Sequence, residues 1–336
     1  MSDMTSDMAI DMAMTDRPVG DSLVTVFGGS GFLGRHVVRA LARRGYRVRV
    51  AVRRPELAGF LQPLGFVGQI QVIQANVRFP DSVARAVDGA HAVVNLVGVL
   101  ASGGKQTYDA VHVAGAKAIA EACAKMAVPL VHVSALGADA SSPSGYGRSK
   151  AEGEAAVRAA VPDAVIFRPS VVFGPEDTFF NRFAGMARFA PALPLIGGGV
   201  TKFQPVFVGD VAIAIRKAVD GAAKAGTVYE LGGPEVRSFR ELMELMLREI
   251  CARKPLVSIP FGLAGLVASL TQWIPGAPLT RDQVEMLKAD NVVSDAAKTE
   301  GRTLAGLDLT PTALEVVLPS YLWRFRKAGQ FTRVEV

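Results

Sequence analysis

The chain has 336 residues, half of them hydrophobic, enough apolar mass for one large domain or for a domain with a smaller companion. Five aspartates against Arg17 alone give residues 1–22 a net charge of −4, and the overall +6 therefore leaves +10 on the remainder, a basic body suited to anionic cofactors, acidic partners or anionic lipid headgroups. The sequence holds no nucleic-acid-binding motif and no dense Lys/Arg run interleaved with aromatics, which argues against nucleic acid as a partner. Cys123 and Cys251 are isolated and His36, His91, His112 and His132 are scattered, so neither a disulfide framework nor a metal site is indicated.

Residues 1–22 read as a disordered acidic tail. They lack the basic start, the continuous apolar stretch and the Arg enrichment of an export signal or presequence, which predicts a cytoplasmic, bacterial-type protein. Next, Leu23 to Gly34 reads LVTVFGGSGFLG, an apolar strand entering a glycine-rich turn that opens a helix. Gly28, Gly31 and Gly34 give G-x-x-G-x-x-G, and Gly29, Gly31 and Gly34 also satisfy G-x-G-x-x-G. Backbone without Cβ atoms turns tightly there and approaches a pyrophosphate closely. Ser30 belongs to the same turn, and the free N–H groups and positive dipole end over Phe32, Leu33, Gly34 and Arg35 point at the phosphates. The helix runs through RHVVRALARR to a stop at Gly45.

Strand two is expected over Tyr46 to Val52, and it ends in Val52-Arg53-Arg54-Pro55. An NAD-selective fold places an Asp or Glu there for the ribose 2′-hydroxyl. Arg53 and Arg54, with Arg35, instead suit a 2′-phosphate, which predicts NADPH. Strand three is expected over Gln69 to Ala75, and Asn76-Val77 after it is positioned to hold the adenine. Strand four (His91 to Val97) leads into Leu96-Val97-Gly98, where backbone can pass under the nicotinamide half. A long amphipathic stretch (Thr107 to Met126), strand five (Val128 to Ser134), a helix (Gly145 to Ala160) and a strand (Ala164 to Ser170) follow. Strands alternating with helices predict an α/β, doubly wound parallel sheet of Rossmann type over 23–170. Residues 171–328 are expected to form a smaller, loop- and helix-rich domain, with Phe203 to Val208 and Thr227 to Leu231 returning to the main sheet. Residues 329–336 read as a tail.

Tyr146 and Lys150 lie four residues apart at a helix start, hence on one face. A phenol beside an ammonium can donate a proton to a carbonyl that receives hydride, and the same two groups can anchor the nicotinamide ribose without any reaction. Ser134 at the end of strand five either supplies the third donor or caps the strand; Ala135 supplies none.

These features, with RPSVVFGPED (Arg168 to Asp177), make the chain resemble the extended and atypical short-chain dehydrogenase/reductases. GPEDTFFNRFAGMARFAPALPL (Gly174 to Leu195), FQPVFVGDVA (Phe203 to Ala212) and WIPGAPLTRDQVEML (Trp273 to Leu287) look most like the nucleotide-binding accessory subunits of respiratory complex I, the proton-pumping NADH:quinone oxidoreductase. That resemblance implies a tightly held NADPH with no established turnover, other complex I subunits as partners, and a place beside the quinone-proximal junction. It also implies a peripheral position on the cytoplasmic side of the bacterial inner membrane. Ala135 at the catalytic serine position and His112 in place of the usual Asn leave the hydride-transfer machinery incomplete, and Tyr146, Lys150 and Ser134 vestigial or ribose-anchoring. The charge-free run Leu256 to Pro275 is too broken to span a bilayer; it either lies on a membrane surface, with Trp273 at headgroup level and Arg253, Lys254 and Arg281 facing anionic lipid, or is a buried helix. The rival readings are an NADP-dependent reductase or epimerase acting on a small carbonyl compound or sugar nucleotide, and a freestanding redox sensor.

Overall fold

A computed structural model describes residue 20 and residues 22–271 and 279–332. The expected acidic tail falls almost wholly outside these residues, as do Trp273, Pro275 and the last four positions.

In chain order the elements are β1 (Leu23–Phe27), α1 (Phe32–Arg44), β2 (Arg47–Val52), β3 (Ile70–Gln74), α2 (Pro80–Val87), β4 (Ala92–Asn95), α3 (Ala114–Met126), β5 (Leu130–Val133), α4 (Gly145–Ala160) and β6 (Val165–Pro169). There follow β7 (Val172–Phe173), α5 (Phe180–Phe189), β8 (Leu193–Ile196), β9 (Lys202–Phe203), β10 (Val206–Phe207), α6 (Val208–Val219) and β11 (Val228–Leu231). The chain ends through β12 (Arg237–Ser238), α7 (Phe239–Glu249), β13 (Leu256–Ile259), α8 (Phe261–Thr271), α9 (Arg281–Met286), α10 (Asp295–Thr299) and α11 (Leu314–Leu322).

Seven strands form one sheet in the order β11-β6-β5-β4-β1-β2-β3, every pair parallel. Their near-continuous apolar sequences suit a sheet covered on both faces. On one face Val37, Val38 and Leu41 of α1 and Ile215 of α6 bury against Val24, Val26, Val48 and Val50. Each such side chain contributes about 1.5–3 kcal/mol. On the other, Val83 of α2, Ile119 of α3 and Val157 of α4 pack on Phe27, Val93 and Ile166. Gly45, at φ 101°, ends α1: its N–H donates to Ala42 O and that of Tyr46 to Leu41 O, a left-handed closure that glycine adopts without strain. Strand order reverses between β1 and β4, and the crevice outside their carboxyl ends is where such sheets receive ligands.

Val228–Leu231 joins the sheet beside β6, but Phe203 to Val208 does not reach it. Pro205 has no N–H and divides that run. Lys202–Phe203 pairs antiparallel with Arg237–Ser238, and Val206–Phe207 pairs parallel with Val172–Phe173. A separate core gathers Phe180 and Ala184 of α5, Leu242 and Met246 of α7 and Leu318 of α11, with Phe179, Phe183 and Phe239 in edge-on ring contacts. The uncharged run expected to be either surface-lying or buried is divided between β13 and α8. Ala264 and Ala268 of α8 are buried against Val284 of α9, while Leu263, Leu266 and Leu270 point outward. Among the described residues no helix is long and apolar enough to cross a membrane.

Candidate functional site

The glycine turn is built by close contact. Gly28 sits at φ 79°, and a Cβ there would lie 3.2 Å from the Leu96 carbonyl carbon and 3.3 Å from Val97 N. One at Gly34 would fall 2.4 Å from Gly28 O, and one at Gly29 2.7 Å from a Val50 methyl. These glycines therefore let α1, the turn and the β4 loop meet. Gly31 differs: it is exposed, and its missing Cβ would meet only Gly28 O, at 3.3 Å. It is the N-cap of α1, and no side chain caps that helix. The first-turn N–H groups over Phe32, Leu33 and Gly34 thus face outward without intrahelical acceptors, the arrangement that receives a phosphate.

At the adenosine side the three expected arginines separate. Arg53 lines an open groove of about 410 Å³ with Gln74, Asn76, Phe79, Asp81, Ser82 and Arg85. Arg54 donates through Nε to Glu56 at 2.9 Å. The Arg35 guanidinium lies over the Phe60 ring and 3.5 Å from Glu176. Asp81 shares the groove with Arg53, so a carboxylate stands there that the end of strand two does not announce. Asn76 is turned into its own loop: its Oδ1 accepts from Arg78 N–H, and its N–H donates to Ser82 Oγ. Val77 is buried against the position of Gly115.

At the other end, Leu96 N–H donates to Phe27 O and Val97 N–H to Asn95 Oδ1. Gly98 then passes Lys150, whose Nζ would lie 3.3 Å from a Cβ on that residue. Ser144 caps α4 by accepting from Gly147 N–H, and the first two turns carry Tyr146 and Lys150 on one side. Lys150 is buried, donates to Val133 O at 3.3 Å, and stands 5.9 Å from the Tyr146 ring centre. Burial lowers its pKa to about 8. Tyr146 is raised to about 12 by burial and then by the charge of Asp282. Tyr146 therefore keeps its proton at neutral pH, the form in which a phenol can donate.

Ser134 directly follows β5. Its N–H donates to Phe167 O, but its buried Oγ has no hydrogen-bond partner. The hydroxyl therefore does not cap the strand. An unsatisfied buried hydroxyl costs about 1–3 kcal/mol, and a polar group of a bound nucleotide would relieve it.

His112 is carried by a π-helical turn, Asp109–Val113, just before α3, an irregularity frequent at functional sites. Val99 N–H donates to its Nε2, so Nδ1 holds the proton and donates to Ser149 Oγ, which donates in turn to Tyr146 O. Burial and then Lys150 lower the imidazole pKa to about 3, leaving it neutral and locked. His132 in β5 is likewise lowered to about 3 by burial and contacts Asn95 Nδ2 at 3.0 Å. Sequence reasoning does not bring Tyr108, Ser149 or Asp282 to this place. Tyr108 stacks on His112 and meets Tyr146 edge-on, with ring centres 5.4 and 6.0 Å apart. Asp282 arrives from 136 residues beyond Tyr146, a separation that leaves no local pattern.

Residues 24–232 match the model of the NAD dependent epimerase/dehydratase family. Among curated relatives, the Arabidopsis thaliana mitochondrial NADH dehydrogenase [ubiquinone] 1 alpha subcomplex subunit 9 is 36% identical over 331 residues, covering 93% of this chain and 80% of that protein. The Neurospora crassa NADH-ubiquinone oxidoreductase 40 kDa subunit is 32% identical, covering 93% and 82%. A Caulobacter vibrioides ceramide reductase is 37% identical over 174 residues, 52% of this chain and 54% of that enzyme. Among solved structures, gox2253 superposes with a TM-score of 0.72 at 22% identity, covering 93% of this chain and all of its own. The Bacillus anthracis dTDP-glucose 4,6-dehydratase in complex with NAD gives 0.67 at 17% identity, covering 90% and 95%. At those identities the structural likeness speaks for the fold alone. The chain belongs to the NAD dependent epimerase/dehydratase family and, within it, groups with the alpha-subcomplex subunit 9 and 40 kDa proteins.

Proposed function

We propose that this protein is an accessory subunit of a proton-pumping NADH:quinone oxidoreductase that holds NADPH without turning it over. The nucleotide then stabilises the fold and the assembly by mass action. One coincidence carries the reading: near-full-length similarity to two respiratory NADH dehydrogenase subunits accompanies a nucleotide cradle whose hydride-transfer side lacks a hydroxyl donor at Ala135. Gly28 to Arg35 would hold the pyrophosphate, Arg53 a 2′-phosphate, and Ser134, Tyr146 and Lys150 the nicotinamide ribose. When bound, the nucleotide would supply a hydride at its nicotinamide. The chain's own residues anchor it, and the neutral, doubly bonded His112 offers no mobile proton.

The basic body and the outward Leu263, Leu266 and Leu270 of α8 support a peripheral place on the cytoplasmic face of a bacterial inner membrane, near the quinone-proximal junction. Affinity purification from native membranes, with mass spectrometry of proteins and nucleotide, tests the reading. Oxidoreductase subunits and bound NADPH are expected together; a nucleotide-free protein without those subunits refutes it.

A second reading, an NADP-dependent reductase, is favoured by the retained Tyr146 and Lys150 and by the half-length similarity to ceramide reductase. There the Tyr146 hydroxyl would donate a proton to a carbonyl oxygen as its carbon receives hydride. Steady NADPH oxidation with a defined substrate, abolished in Tyr146→Phe, would establish turnover and end the purely structural account.

A further inference from the structure

The carboxylate of Asp282, on α9, accepts from four donors at the reactive end of the site. Its Oδ1 takes Gly145 N–H at 2.6 Å. Its Oδ2 takes Tyr146 N–H at 3.2 Å, Ser144 Oγ at 3.1 Å and the Tyr108 hydroxyl at 3.3 Å. An anion is thus seated on the N-terminus of the helix that carries Tyr146 and Lys150, where free N–H groups and the helix dipole favour negative charge. The Tyr108 hydroxyl lies between this carboxylate and Leu100 O, at 3.3 and 3.0 Å, and its ring packs on both His112 and Tyr146. α9 is held by means that do not involve the site. Thr280 and Gln283 form its capping box, and Val284, 1% exposed, packs on Ala264 and Ala268 of α8.

We propose that Asp282 is a positioning residue that couples the α8–α9 unit to the nucleotide site. Ordering of α4 around a bound nucleotide strengthens the seat of α9, and withdrawal of α9 loosens the hold on the nucleotide, because linkage is reciprocal. This rests on the reading that the site holds NADPH.

The test uses the full chain, with NADPH fluorescence titration and hydrogen exchange with and without NADPH. In the wild type, NADPH is expected to slow exchange both in the glycine turn (28–35) and in 280–287. Asp282→Ala and Asp282→Asn are expected to weaken NADPH about 5- to 100-fold and to lose the response in 280–287 while the turn keeps its own. Glu285→Gln, on the same helix but paired outward with Lys288, should change neither. Protection of the turn with no response in 280–287 of the wild type overturns the coupling alone. No protection anywhere overturns both the coupling and the NADPH reading. Should the Asp282 variants fail to fold, the wild-type exchange pattern still decides.

Discussion

Gly31→Ala and Gly34→Ala separate phosphate binding from packing within one turn. A Cβ at Gly34 would stand 2.4 Å from Gly28 O and 2.6 Å from two Gly29 backbone atoms. Backbone cannot rotate aside as a side chain does, so α1 must shift, at about 1–3 kcal/mol. A chain of this size loses about 1–2 °C of apparent Tm per kcal/mol, and Gly34→Ala is expected to melt a few degrees low without any nucleotide. At Gly31 the backbone is at φ −72° and ψ 179°, open to any residue, and the new methyl meets only one oxygen at 3.3 Å. Loss of a glycine N-cap costs at most about 1 kcal/mol. The Gly31→Ala methyl lies where a pyrophosphate would approach. With NADPH at 100 times its Kd the wild type gains about 2.7 kcal/mol, and a hundredfold weaker variant at that concentration gains about 0.4 kcal/mol. Differential scanning fluorimetry with and without NADPH reads both effects. Gly31→Ala should melt near the wild type and lose most of the NADPH shift. A full shift in Gly31→Ala would remove the phosphates from this turn, and an unchanged melt in Gly34→Ala would refute the packing argument.

Arg53→Glu should weaken NADPH at least tenfold while leaving NADH within about threefold, since only the former carries the 2′-phosphate; equal losses in a paired titration would remove Arg53 from that role. Glu154 is fully buried and accepts from Arg168 Nε and Nη2 at 2.8 and 2.7 Å, with Arg158 at 3.3 Å. Glu154→Ala leaves Arg168 half-buried and unpaired, and urea unfolding should register a loss of about 3–5 kcal/mol; a loss under 1 kcal/mol would contradict this. His112 and His132 have folded pKa values near 3, below the unfolded value, so the unfolded chain binds more protons in acid. Their contribution is complete above about pH 6.5 and declines as pH falls toward 3. The urea midpoint should therefore drop between pH 7 and pH 5, and the drop should shrink in His132→Asn; an identical drop in that variant would be the contrary result. Lys150, lowered to about 8, loses charge as pH rises through that value. NADPH affinity should decline across it, and a decline persisting in Lys150→Met would point to another group.

The periodic and local features are legible in the chain itself. Leu23–Phe27, the glycine turn, α1 with its Gly45 stop, and α4 from Gly145 to Ala160 follow from backbone hydrogen bonds and side-chain periods that repeat within a few residues. So does the placing of Tyr146 and Lys150 on one helix side. Tertiary contacts decided the rest. Val206–Phe207 paired with Val172–Phe173 outside the main sheet. Glu176 engaged Arg35, which stands beside the turn in sequence, across 141 positions, and Ser134 was left with a buried, unanswered hydroxyl. Asp282 reached the first turn of α4 across 136 residues. Such pairings depend on where folded surfaces meet, and two residues that touch only after folding share no spacing, period or composition along the chain.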